Sequence, residues 1–129
     1  MIIYQKWISR ADLQLNPKVL YVFGDNCKRV GNGGQAKEMR GEINAFGIPT
    51  KWTPGHSEDD YFYDHQRKQI LPIIDGHFRI LETALQDGKL VIFPTDGIGT
   101  GLSKLPEQAP QIDADIKAFT EDLFERFGG

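Results

Sequence analysis

The chain has 129 residues, 40% of them hydrophobic and 26% charged, with 15 Lys and Arg against 18 Asp and Glu for a formal charge of −3. That is one globular domain able to bury roughly two-thirds of its unfolded surface, and it excludes a disordered or fibrous chain. The slight acidity argues against a protein that grips duplex nucleic acid, which needs a clustered basic excess, but it leaves room for a local anion site.

MIIYQKW at residues 1–7 reads as a strand, and a short capped helix is expected to start near Ser9 or Arg10. KVLYVF at 18–23 reads as a second strand that stops at a Gly24-Asp25-Asn26 turn. Gly34 to Arg40 holds the helix formers QAKEMR and ends at Gly41, and AFGIPT at 45–50 is a third strand. Residues 51–65, KWTPGHSEDDYFYDH, form a polar and aromatic excursion. From Pro72 to Gln86 the apolar Ile74, Phe78, Leu81 and Leu85 recur at spacings of three and four, an amphipathic helix with Pro near its first turn and Gly88 as its stop. KLVIF at 89–93 is a buried strand that runs into Pro94–Leu102, and a last helix carries Ile112, Ile116, Phe119, Leu123 and Phe127 on one face. The alternation predicts a single three-layer α/β/α domain over 1–129 around a mixed, mostly parallel sheet, whose ligands bind beyond the carboxyl ends of the strands.

Both glycine clusters fall at those ends. Gly24, Gly31, Gly33, Gly34 and Gly41 make one, and Gly97, Gly99 and Gly101 the other. Glycine turns serve tight strand-to-helix connections, but successive main-chain N–H groups in them also form anion nests, so an acidic protein can hold a phosphate without a basic patch. The alternation at 97, 99 and 101 is more than one tight turn needs, and it predicts a loop whose Cβ positions nearest a ligand are empty. Gly31-Asn32-Gly33-Gly34-Gln35-Ala36 fits G-x-G-x-x-A, yet it begins eight positions after Phe23 and the next strand ends in Thr50-Lys51 rather than an acid, so a nicotinamide fingerprint is set aside.

The lone Cys27 excludes an internal disulfide and a multi-cysteine zinc site, and its neighbours Lys28 and Arg29 are expected to favour its thiolate. The start, MIIYQKWISRADLQLN, shows no leader, and no apolar run approaches a membrane span, so a cytoplasmic protein that engages no membrane is expected. His56, Glu58, Asp59, Asp60, Asp64 and His65 have metal-ligating side chains without metal-site spacing and read as a solvated loop; no metal or cofactor is expected. Tyr61, Phe62 and Tyr63 either anchor that loop or stack on a base, and Trp52 is open to the same two readings.

VFGDNCKRVGNGGQAKEMRG resembles the macro-domain signature of a strand ending in asparagine, consecutive glycines and a helix of small residues, and VIFPTDGIGTGLSKLPEQA resembles that family's second loop. The resemblance implies an α/β module that binds ADP-ribose or a similar small nucleotide. It also implies possible hydrolysis of an ADP-ribose derivative, of the ADP-ribosyl hydrolase or ADP-ribose 1″-phosphatase type. Asn26 then contacts the distal ribose, Gly33 and Gly34 lie beside it, and Gly99, Thr100 and Gly101 wrap the diphosphate. Gly24, Gln35, Thr95, Gly97, Ile98 and Leu102 complete the expected binding set. The family's adenine-binding aspartate has no counterpart after MIIYQKW, and Asp96 and Gly97 are additional in the second loop. Asp25 or Asp96 is the candidate base to activate water, beside the plainer reading of both as turn or surface residues. Two alternatives stand open. One is a lysine-decarboxylase-like phosphoribohydrolase that frees the base from a nucleoside monophosphate; the other is a non-catalytic protein that sequesters a nucleotide.

Overall fold

In the computed structural model, which describes residues 1–128, four strands and five α-helices alternate along the chain. They are β1 (Ile2–Gln5), α1 (Arg10–Leu15), β2 (Leu20–Asn26), α2 (Ala36–Met39), β3 (Ala45–Lys51), α3 (Arg67–Gln86), β4 (Val91–Pro94), α4 (Leu105–Gln108) and α5 (Pro110–Phe127). The strand order is β1-β4-β2-β3, and all three pairings are parallel. The expectation of a mixed sheet is met only by a single antiparallel bridge, Lys51 to Tyr61.

Successive side chains on a strand point to opposite faces, and this period of two divides the core into two clusters. Tyr21, Phe23 and Ile92 face Leu13 of α1 and Ala36 and Met39 of α2. Val22, Ile48, Val91 and Phe93 face Ile74, Phe78, Leu81 and Leu85 of α3 and Ile112, Ile116 and Leu123 of α5. The three layers follow from the route of the chain. It crosses the sheet one way through α1 and α2 on one face, then reverses through α3 on the other, as crossovers of one hand require.

The reversal leaves β2 and β4 side by side with their outgoing loops bound for opposite faces. Their pairing covers only Leu20↔Val91 and Tyr21↔Ile92, although β2 runs on to Asn26 against β3. A crevice therefore opens between the two strands at their carboxyl ends, the usual place for a ligand in a parallel sheet.

Two boundaries differ from the sequence reading. Gly24-Asp25-Asn26 is not a turn but the last part of β2, because β3 keeps pairing with it as far as Asn26↔Lys51, through a register shift between Asp25 and Asn26. The long helix starts at Arg67, so Pro72 lies inside it, on an exposed side of the helix. Among the described residues, no helix is long and apolar enough to cross a membrane.

Acidic side chains pin the connections. Asp12 closes a capping box with Ser9 at the start of α1, and Asp64 accepts the Gln111 and Ile112 N–H groups at the start of α5. Asp60 accepts from the Thr53 hydroxyl and the Ser57 N–H. The Ser9 backbone bond holds Asp12 below the usual carboxylate range, and the Thr53 and Ser57 bonds do the same for Asp60. A carboxyl depressed by folding contributes stability that is complete above its unfolded pKa and lost as pH falls through its folded one. Denaturant midpoints are therefore expected to hold from neutrality down to about pH 5 and then to fall as the pH drops below about 4. In Asp60→Asn, measured the same way, the acid-side fall should be smaller.

Candidate functional site

Two hollows lie in the crevice. The first, about 260 Å³, is walled by Lys6 and Trp7 after β1, Gly33 to Gln35 after β2, and the run from Thr95 to Ser103 after β4. The second, about 270 Å³, is walled by Asp25, Asn26, Val30 to Gly33, Arg40, Lys51 and His56. Gly24, Gly33, Leu102 and Ser103 border both, so the hollows adjoin. A larger trough of about 740 Å³ between α3 and α5 is more open, is lined by Arg67, Lys68, Asp75 and neighbours, and shares no lining residue with the two hollows.

The glycine loops touch each other over β2, and this explains what several of the glycines do. A Cβ on Gly24 would sit 3.2 Å from the Gly99 nitrogen, so the second loop lies directly on the β2 main chain. A Cβ on Gly99, whose φ is +79°, would collide with the Leu105 side chain, and one on Gly33 would lie 2.5 Å from Leu102 Cδ1. At 33 and 99 the vacancy expected for a ligand is filled by leucines; these glycines serve packing between the loops. Gly101 differs, since nothing lies within 4 Å of its Cβ position and its φ is not positive.

The three candidate catalytic residues are not brought together. Asp25 and Asn26 line the second hollow, whereas Asp96 is exposed and lines the first. Asp25 is buried and held by both terminal guanidinium nitrogens of Arg40, at 2.5 and 3.3 Å, and its Oδ1 also accepts the Asn26 N–H. A carboxylate so occupied is an anchor for the loop after β2, and the expectation that it activates water is corrected accordingly. Asn26 donates from Nδ2 to Val30 O at 2.7 Å and accepts the Lys28 N–H on Oδ1, which closes residues 26–30 into a turn. Arg29 in that turn donates to His77 Nε2 on α3 at 2.8 Å.

Gln35 was expected to bind ligand, but both ends of its amide serve Ile8: Oε1 accepts the Ile8 N–H at 3.0 Å and Nε2 donates to Ile8 O at 2.8 Å. Only its main chain is left to the hollow. Ile98 is buried and packs into the core, so it too offers main chain alone. Thr95 donates its N–H to Gln5 O, and Thr100 hydrogen-bonds through its hydroxyl to Asp96 O, ordering the second loop. Leu102, 54% exposed, rises between the hollows.

Three functional candidates escaped the sequence reading. Lys51 is buried at the end of β3, donates to Gly55 O and sits 4.3 Å from the Tyr61 ring centroid. Burial pushes its ammonium below the ordinary lysine range, and Lys104 pushes the same way. Ser103 pairs with Thr50 Oγ1 at 2.6 Å. Thr50 gives its single hydroxyl proton to Asp25 O, so Ser103 is the donor of that pair and keeps its lone pairs, and it borders both hollows. Arg40 is the third, and a run of helix formers gave no hint that it would reach back to β2.

Cys27 is half-buried, and burial raises its thiol by more than Arg29 lowers it, so the expected thiolate is corrected. Tyr61 and Phe62 are buried, with Trp52 packed edge-on to Phe62 at 4.9 Å, which favours the anchoring reading of the excursion's aromatics. Among the described residues, no three His, Cys, Asp or Glu side chains converge as metal ligands would.

The two acids are separable by stability. Arg40→Met leaves the Asp25 carboxylate buried and unpaired and is expected to cost about 3 kcal/mol. Asp96→Asn, at an exposed position, should change stability by less than about 0.5 kcal/mol. Chemical denaturation of both variants checks this, and equal midpoints would remove the anchoring role.

No curated protein and no solved structure matches the chain. Residues 3–119 match the model of a family of unknown function (DUF7831). That match spans both glycine loops and every residue lining the two hollows, and the chain belongs to the DUF7831 family.

Proposed function

We propose that this chain is a compact macro-like module that binds ADP-ribose, or a closely related nucleotide diphosphate sugar, along the crevice between β2 and β4. The observation that carries the reading is the pair of adjoining hollows bordered by two glycine loops. An elongated ligand with phosphates at its middle fits that shape. Main-chain N–H groups are neutral donors that hold an anion without a basic surface, which suits a chain of net charge −3. Lys51 and His56 line the second hollow, where the Arg40 charge is met by Asp25. Lys51 and the Ser103 lone pairs suit a sugar that carries hydroxyls or a further acidic group.

Binding, more than hydrolysis, is what the arrangement favours. Asp25 is held by Arg40, and Asp96 lies at the hollow away from Asn26. A hydrolytic reading would rest on Asp96 alone.

Calorimetric titration with ADP-ribose, ADP and AMP tests the proposal. ADP-ribose is expected to bind most tightly, and salt should weaken it only modestly because neutral amides carry the phosphates. Gly101→Val, which adds a side chain where the fold leaves space, should lower affinity by at least about tenfold, or 1.4 kcal/mol, with an unchanged denaturation midpoint. No heat with millimolar ADP-ribose, together with release of free adenine from AMP, would replace this reading by the phosphoribohydrolase one.

A further inference from the structure

We propose that the indole of Trp7 is the platform on which the ligand's planar heteroaromatic ring stacks, at the β1 end of the crevice. This rests on the nucleotide reading and gives it a base subsite, which the sequence left without a counterpart.

Trp7 is 60% exposed and lines the first hollow beside Lys6. None of the ring–ring or cation–ring contacts among the described residues involves it. The second tryptophan shows the contrast: Trp52 packs on Phe62 and donates its Nε1–H to Gln66 Oε1 at 3.1 Å. An indole left in water is unfavourable, and one on the wall of a hollow gains when a flat apolar surface covers it.

The main chain on both sides of Trp7 is fixed although its ring is free. Gln5 O accepts the Thr95 N–H at 2.9 Å, and Gln5 Nε2 donates to Asp12 Oδ2 at 3.0 Å. Ile8, fully buried, has its N–H and C=O both bonded to the Gln35 amide, and Ser9 opens the capping box. These bonds tie the connection bearing Trp7 to the loops after β2 and β4. The backbone that carries the ring is thus fixed against the two glycine loops that border the same hollow. Rigid backing also limits the ordering cost when a base stacks. The occupant is a nucleobase rather than an aliphatic group because the same hollow is lined by glycine-rich main chain, which admits a flat ring and supplies donors and acceptors at its edge.

The test uses the intact protein, its Trp7→Leu and Trp7→Phe variants, and ADP-ribose as probe, followed by calorimetry and indole fluorescence. ADP-ribose is expected to quench wild-type emission, Trp7→Leu to lose that quench and bind at least about tenfold more weakly, and Trp7→Phe to recover most of the affinity. All three should share one denaturation midpoint, since Trp7 is mostly exposed. Wild-type affinity in Trp7→Leu overturns the platform while leaving the nucleotide reading intact. A loss that Trp7→Phe fails to rescue also overturns it. Absence of any binding by the wild type overturns the nucleotide reading and the platform with it.

Discussion

Everything in the crevice depends on β2 and β4 parting after Tyr21 and Ile92. Two parallel strands whose outgoing loops leave for opposite faces cannot stay paired to their ends, and the space between them must be filled or left for a ligand. Here it is partly filled. The second glycine loop lies on Gly24, Leu105 plugs the space under Gly99, and Leu102 rests on Gly33. What stays open is the pair of hollows on either side of Leu102.

A second set of interactions keeps that opening from collapsing. The Asp25–Arg40 pair ties β2 to the residue after α2, and the Gln35 amide ties the first glycine loop to the β1 connection. The Thr50–Ser103 hydroxyl pair ties β3 to the second loop. Each uses a polar side chain that sequence reading would assign to a ligand or to solvent. A parallel sheet has no hairpins to hold its carboxyl-end loops, so cross-loop bonds of this kind take that part. The polar residues nearest the crevice therefore divide into those that build it, Asp25, Asn26, Gln35, Arg40 and Ser103, and those left facing it, Lys51, His56 and Asp96.

The fold was legible in the sequence wherever periodicity was strong. Ile74, Phe78, Leu81 and Leu85 mark α3, VIF marks β4, and the alternation of strands and helices gives the three layers. The extension of β2 was hidden because Gly24-Asp25-Asn26 is turn chemistry locally; pairing with β3 overrides that preference. The place of the crevice was legible from the glycines, but their division of labour was not. Whether a glycine faces a ligand or a leucine is set by residues far away in the chain. Lys51 and Ser103 were missed because burial and the sharing of hydroxyl protons are properties of the packed fold.

One ligand is proposed to lie across both hollows, from Trp7 to Lys51. The most direct measurement is an amide NMR titration with ADP-ribose on the assigned protein. Shifts are expected at Trp7, at Gly33 and Gly34, along Gly97 to Ser103, and at Lys51, all with one dissociation constant. Shifts confined to the trough between α3 and α5, around Arg67, Lys68 and Asp75, or to only one of the two hollows, would contradict the account.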